Sequence, residues 1–114
     1  MTIRINTIDE EKSKPSDSKP QYVANLSDKL DQTRINNLES LIQKSRNPDI
    51  MNVRVELHPG NVLTFDTKGN VDLDVAVTTI NGWLEKISGE EAQFKQKIRD
   101  VNEKLTSRKD LNSP

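Results

Sequence analysis

The sequence contains no cysteine and only one histidine, His58. Without cysteine the chain has no disulfide framework, no thiolate zinc site and no thiol nucleophile. One histidine does not make a zinc site alone, and no serine or aspartate beside it indicates a catalytic triad. Its place before Pro59 and Gly60 is typical of an exposed turn. We therefore expect no enzymatic activity and no cofactor.

Aromatic residues make up only 4% of the chain, and the 32% of hydrophobic residues barely exceeds the 31% of charged ones. A chain of 114 residues with this composition allows one small domain with tails and a thin core. Such domains often need a partner to become stable. The net charge of −1 gives no bulk attraction to nucleic acid or to an anionic membrane. The composition favours contact with another protein.

Long apolar runs are also missing, since no stretch approaches the roughly 20 residues that span a membrane. The first residues lack the apolar core of a cleavable signal, so we expect no membrane contact and no secretion by a signal peptide. The expected location is the cytoplasm or an intracellularly assembled complex. The four glycines form no phosphate-binding motif, and we expect no small-molecule substrate.

Residues 1–21 are predicted to form a flexible polar arm with an apolar tip. Ile3 and Ile5 alternate with polar residues, and Ile8 follows, which indicates a short strand. Residues 9–20 carry no apolar side chain to offset the entropy of ordering. We expect Ile3, Ile5 and Ile8 to bind a protein partner, for example as a strand added to its sheet. The alternative is an N-terminus that is simply disordered.

Residues 22–107 are predicted to form one α+β domain, followed by a frayed tail at 108–114. A helix is predicted over 25–46, where apolar residues fall mainly on one stripe. These residues are Leu26, Leu30, Leu38, Leu41 and Ile42, with Ile35 beside them. Asn25 or Ser27 is the expected N-cap, and Asn47-Pro48 is expected to stop the helix.

A small three-stranded antiparallel meander is predicted over residues 53–57, 62–67 and 71–74. The Gly-Asn pairs between these segments tolerate the positive φ of three-residue hairpin loops. The resulting register places Leu57 opposite Leu63, Val55 opposite Phe65, and Phe65 opposite Leu73. All of these apolar residues then share one face, as a half-buried sheet requires.

Three aspartates converge on the polar face of this predicted sheet, namely Asp66, Asp72 and Asp74. The register places Arg54 opposite Asp66 and Asp66 opposite Asp72. Like charges in direct opposition are destabilising, so Arg54, solvent or a bound Mg²⁺ or Ca²⁺ is expected to offset them. The spacing does not match an EF-hand loop, and a solvated polar face is the favoured interpretation. No metal site is therefore predicted; a metal-dependent or hydrolytic activity at these aspartates is the least favoured alternative.

After Asp74 the pattern fits both an extended strand and a helix. Val75, Val77 and Thr79 continue the alternation of a strand. Apolar residues at helical spacing favour a helix over 75–87; these are Ala76, Ile80, Trp83, Leu84 and Ile87. Ser88 and Glu91 resemble a capping box, which predicts a second helix over 89–107. The C-terminal part is thus predicted to form one or two amphipathic helices.

The predicted last helix carries apolar residues at heptad spacing. These four residues, called the C-terminal seam, are Phe94, Ile98, Val101 and Leu105. The C-terminal seam either packs on the domain's own sheet and first helix, or it binds a second copy or another chain. Acidic and basic residues alternate along this helix, which is typical of a solvated surface, and nucleic-acid binding is not expected.

The sequence as a whole predicts a non-enzymatic structural or adaptor subunit of a larger assembly, such as a component of a viral particle. Its partner is expected to be another protein or a second copy of the chain. The N-terminal arm, through Ile3, Ile5 and Ile8, and the C-terminal seam are the expected contact surfaces. The alternative is a small regulatory protein or inhibitor that binds an enzyme or a nucleic-acid complex.

Overall fold

The computed structural model describes the backbone of residues 2–111 and the side chains of residues 2–106. It confirms the predicted α+β class, with four strands and two helices in the described chain. The elements are β1 (Ile5–Ile8), β2 (Gln21–Leu26), α1 (Gln32–Ser45), β3 (Ile50–Val55), β4 (Val62–Thr67) and α2 (Leu73–Leu111). The strands form one antiparallel sheet in the order β1-β2-β4-β3. The predicted frayed tail, 108–114, lies outside the described side chains and, from residue 112, outside the described residues.

The core lies between one face of the sheet and the two helices. On β4, Leu63 and Phe65 are fully buried and alternate with half-buried residues, as the period of a strand requires. Tyr22 of β2 lies opposite Phe65, and their ring centroids are 5.4 Å apart. The helices contribute buried apolar residues to the same cluster: Ile35, Leu38, Ala76, Ile80, Trp83, Leu84 and Ile87.

The N-terminal arm belongs to the sheet of its own chain. The strand predicted near Ile3 and Ile5 is present, but β1 pairs with β2 of the same molecule rather than projecting towards a neighbour. Ile3 and Ile5 are buried in the core, and Ile8 packs against it. The structure therefore differs from the expected arm, because the apolar tip finds an acceptor edge within its own chain.

Residues 9–20 connect β1 to β2 and are held by polar contacts. Lys14 and Gln21 exchange backbone hydrogen bonds of 2.8 and 2.9 Å, and Ser13 Oγ accepts from the Val23 amide at 3.0 Å. The Gly69 amide donates to the Ser18 carbonyl at 3.0 Å. A Cβ on Gly69 would lie 2.0 Å from the Asp17 carbonyl oxygen, so only glycine permits this approach. Counting apolar residues alone missed this source of order.

Helix α1 begins later than predicted. Residues 25 and 26 belong to β2, where Tyr22, Ala24 and Leu26 all face the core with the period of a strand. Leu30 is buried in the turn that follows. The N-cap is Asp31, whose side chain accepts from the Arg34 amide at 2.8 Å. The predicted stop is confirmed, since α1 ends at Ser45, just before Asn47-Pro48.

The hairpin of β3 and β4 is confirmed, but its register is shifted by two residues. Val55 lies opposite Leu63, where Leu57 was predicted. Residues 56–61 form the longer loop, in which Gly60 adopts a positive φ of 86°. A bulge at Asn52, which has a φ of 53°, adds a further irregularity to β3. A shift of two residues preserves the apolar face, so the face was predictable although the partners were not.

The predicted third strand at 71–74 is wrong. Val71 closes a turn onto the Lys68 carbonyl, and α2 begins at Leu73. Helix α2 then continues without a break through the predicted capping box. Ser88 Oγ donates to the Leu84 carbonyl at 3.1 Å within the same helix, so Ser88 caps nothing. The helix predicted over 75–87 is confirmed, and it forms one element with the helix predicted over 89–107.

The molecule is elongated because α2 is longer than the rest of the fold. Its 39 residues correspond to about 58 Å of helix. The described chain measures 74 × 27 × 19 Å, with a radius of gyration of 18.9 Å. A compact domain of this length has a radius of gyration of about 13 Å. We call the sheet, α1 and residues 73–91 of α2 the body, and residues 92–111 the projecting half.

Candidate interaction surface on helix α2

One heptad pattern runs through both halves of α2. Side chains at alternating spacings of four and three residues are apolar, with Glu91 as the exception. The apolar members are Leu73, Val77, Ile80, Leu84, Ile87, Phe94, Ile98, Val101 and Leu105. Up to Ile87 they are buried in the core or pack against it. The repeat that packs against the sheet and α1 therefore continues into the projecting half, where its described side chains are exposed.

The C-terminal seam is the exposed part of this repeat. Phe94 is 64% exposed, Ile98 45%, Val101 53% and Leu105 55%. Of the two alternatives, packing of the C-terminal seam on the domain's own sheet and first helix is therefore wrong. Contiguous exposed apolar side chains of this kind mark sites of contact in soluble proteins. The exposed residues and the extended shape are consistent with a protein partner or self-association.

Most of the C-terminal seam is uncovered because α1 reaches only its first residue, Phe94. Helix α1 runs antiparallel to α2: Leu41 and Ser45 lie beside Trp83, and Asp31 and Arg34 lie beside Ile87 and Phe94. The N-cap at Asp31 thus ends the cover of α2 near Phe94. Beyond that point the described residues supply no second helix and no strand.

A charged cluster stands at the boundary between the buried and the exposed halves. Glu91 accepts from Arg34 Nε at 3.0 Å and from Arg34 Nη2 at 3.2 Å, which makes the pair bidentate. Lys95 Nζ lies 3.2 Å from the same carboxylate. Hydrogen bonds from Arg34 and Lys95 lower the pKa of Glu91 to about 2, and the hydrogen bond to Glu91 raises the pKa of Arg34. Glu91 is therefore ionised at neutral pH and serves as a fixed acceptor that joins α1 to α2.

Sequence reasoning assigned Glu91 to a capping box and missed this cluster. The available signal was the heptad position of Glu91, where a lone charge interrupts an apolar series. A polar residue at such a position sets the register of helix pairing. Here the ion pair aligns Arg34, near the start of α1, with Glu91, which lies three residues before the C-terminal seam.

The other predicted contact residues lie elsewhere. Ile3 and Ile5 are in the core at the β1 edge of the sheet, where the Ile5 amide donates to Asn81 Oδ1 at 2.8 Å. This hydrogen bond joins β1 to α2 and satisfies a donor at the sheet edge. The structure therefore does not bring Ile3, Ile5 and Ile8 together with the C-terminal seam into one exposed surface.

The three predicted aspartates do not converge. Asp66 lies on β4 opposite Met51 and accepts from Asn52 Nδ2 at 2.8 Å. Asp72 and Asp74 lie at the start of α2, since the segment predicted as a third strand begins this helix instead. Within the described side chains, no group of three or more acidic, histidine or cysteine residues could hold a metal ion.

His58 is exposed in the loop between β3 and β4, as predicted. In the part of the chain that the structure describes, neither helix is long and apolar enough to cross a membrane.

The fold and the exposed surface give no link to a known group of proteins. No protein-family model matches the chain, and neither a curated protein nor a solved structure matches it significantly.

Proposed function

We propose that this protein is a non-enzymatic adaptor or structural subunit that binds another protein through its C-terminal seam. The observation that carries the proposal is the division of one heptad repeat into a buried and an exposed half. Selection for solubility alone would place polar residues at Phe94, Ile98, Val101 and Leu105. A partner helix that takes over where α1 ends would bury them as α1 buries the preceding ones.

The energetics require the partner to contribute an apolar surface of its own. Full burial of one such side chain stabilises by about 1.5–3 kcal/mol, and roughly half of each is already shielded. The C-terminal seam therefore supplies about 3–6 kcal/mol. Association costs about 4–15 kcal/mol, so the four residues alone give little net binding. A matching apolar seam on the partner about doubles the favourable free energy from apolar burial. The resulting net affinity is that of a weak contact, or of one contact among several within an assembly.

The body supports the projecting half in this role. Nucleation of an isolated helix in water is unfavourable, and most helical stability in proteins comes from tertiary packing. In this chain the nucleation cost is already met, because α2 is packed in the core as far as Ile87 and joined to α1 through Glu91. The body thus presents the C-terminal seam on a preformed helix that continues past the start of α1, where a partner can reach it.

The experiment compares two matched double variants of the full chain, purified with their bound proteins from native cells. Phe94→Ser with Ile98→Ser alters the C-terminal seam, whereas Gln93→Ser with Gln96→Ser alters exposed residues away from it. We expect a bound protein to be lost from the first variant and retained by the second, while far-UV circular dichroism shows both bodies folded. Equal retention by both variants would contradict the proposal.

The narrower roles suggested by the sequence stay predictions. A place in a viral particle and the alternative of a regulatory protein or inhibitor both depend on the identity of the partner. Sequencing of the retained protein by mass spectrometry distinguishes these roles.

A further inference from the structure

We infer that the partner of the C-terminal seam is an amphipathic helix of another protein with acidic residues beside its apolar positions. This inference rests on the proposed function and adds the chemistry of the partner. Two independent features of the projecting half lead to it: the charges that flank the C-terminal seam, and the position of the body relative to it.

The residues that directly flank the C-terminal seam are basic or neutral. They occupy the heptad positions next to the apolar ones, namely the residues after Phe94 and Val101 and those before Ile98 and Leu105: Lys95, Lys97, Asn102 and Lys104. The acids between Phe94 and Leu105 are Asp100 and Glu103, which lie further from the seam around the helix, and Asp100 accepts from Gln96 at 3.0 Å. In paired helices the flanking residues face those of the partner and set partner choice. A partner with glutamate or aspartate at its flanking positions therefore complements this surface.

The charge at two of these positions is not already compensated. Lys95 lies 3.2 Å from Glu91, but Lys97 and Lys104 form no ion pair among the side chains described up to residue 106. Both are exposed. An approaching acidic helix thus finds two unneutralised ammonium groups on the flank of the seam.

The body excludes a second copy in parallel orientation. The heptad repeat drifts by about 20° per heptad on a straight helix, so the C-terminal seam faces within about 60° of the side that carries the body. A parallel second helix laid on the C-terminal seam would place its own residues 73–91 where the sheet and α1 of the first copy already lie. Self-association along the seam is therefore restricted to the antiparallel orientation.

The antiparallel orientation brings like charges together. It seats Phe94 against Leu105 of the second copy and Ile98 against Val101, which leaves the two bodies at opposite ends. Lys97 then faces Lys104 of the second copy, and the two-fold axis repeats the pair. Lys95 faces only Asn102, so no acid offsets the repulsion. Each opposed like-charge pair is unfavourable, and an acidic helix replaces both with attractive pairs.

The test uses two synthetic helices of about three heptads as probes. Both carry leucine and isoleucine at the apolar positions; one has glutamate at all flanking positions and the other has lysine. We expect the full chain to bind the glutamate probe at least about tenfold more tightly at low salt, measured by fluorescence anisotropy. The preference should shrink towards unity as ionic strength rises from about 0.05 to about 0.5 M.

Matched charge reversals show whether the flank is responsible. Lys97→Glu with Lys104→Glu should abolish or invert the preference, whereas Arg99→Glu, on the face away from the seam, should leave it largely intact. Equal or tighter binding of the lysine probe would overturn the inference, as would no binding of the glutamate probe up to about 1 mM. A dimer of the chain alone that strengthens with added salt would identify the second copy as the occupant and would also overturn it.

These outcomes separate the inference from the proposed function. If Phe94→Ser with Ile98→Ser releases the native partner but the glutamate probe is not preferred, only the acidic chemistry of the partner is wrong. If the native partner is retained by that variant, the C-terminal seam is not the contact surface and the proposed function itself is wrong.

Discussion

Leu84 and Leu105 occupy equivalent heptad positions of α2, three heptads apart. Replacing each with alanine tests whether one half of the heptad repeat is buried and the other exposed. Leu84 is 0% exposed and Leu105 is 55% exposed. Leu84→Ala should reduce the free energy of unfolding by about 2–5 kcal/mol, because it removes buried methyl groups and leaves a cavity. Leu105→Ala should change it by less than about 0.5 kcal/mol, since alanine favours the helix at least as well and no packing is lost.

The assay is urea unfolding monitored by the fluorescence of Trp83, the only tryptophan, which is buried in the body. Several protein concentrations are needed, because self-association would make the effect of Leu105→Ala depend on concentration. The reasoning is refuted if Leu105→Ala costs more than about 1.5 kcal/mol at every concentration, since the loss would then show that Leu105 packs within its own chain.

Three further substitutions test the contacts that build the body. Gly69→Ala should lower the melting temperature strongly in a thermal scan, because the new Cβ would lie 2.0 Å from the Asp17 carbonyl oxygen; an unchanged midpoint would show that the connection over 9–20 does not dock there. Glu91→Gln should cost about 1 kcal/mol at neutral pH, an estimate reduced for the partial exposure of the pair. The folded-state pKa of Glu91 is about 2, below the ordinary value of 4.5, so the stabilisation exists above about pH 4.5 and disappears as pH falls towards 2; urea titrations across that range should show wild type and variant converging. Thr67→Val should be neutral or stabilise by up to about 1 kcal/mol, because Thr67 is fully buried and its hydroxyl finds no partner among the described residues; a clear loss of stability would reveal a hidden hydrogen bond.

The parts of the fold that sequence reasoning predicted well are those with a clean period. The alternation through Leu63 and Phe65 gave the bounds of β4. The heptad spacing from Phe94 to Leu105 identified a helical apolar series, although not its exposure. The end of α1 followed from the restriction that proline places on the residue before it. Each of these signals is local and needs no knowledge of a distant neighbour.

The errors arose where two periods overlap or where polar contacts supply order. Leu26 and Leu30 fit a helical stripe, but they are buried from a strand and a turn because β4 offers its edge to β2. The segment over 71–74 alternates like a strand. However, the edge of β4 at which this strand was predicted to pair is occupied by β2, which in turn pairs with β1. Tertiary pairing decides such cases, and local sequence does not encode it.

The residues of the candidate surface were predictable from local sequence, but their exposure was not, because it depends on tertiary contacts. The heptad spacing identified the C-terminal seam, but whether it was buried depended on the length and direction of α1. Arg34 and Glu91, which join α1 to α2, are 57 positions apart in sequence. The N-terminal arm gave the opposite error, since a segment predicted to be free is buried. An apolar tip on a polar tether is typical of a docking segment, but here its acceptor edge is β2 of the same chain.

The most direct test of the central claim is photocrosslinking in native cells from two neighbouring positions on α2. A benzoylphenylalanine at position 98 lies in the C-terminal seam, and one at position 96 lies on the face turned away from it. Our account predicts an adduct with another protein from position 98 that disappears when Leu105→Ser is added, and no comparable adduct from position 96. Equal adducts from both positions, or an adduct from position 98 that survives Leu105→Ser unchanged, would contradict it.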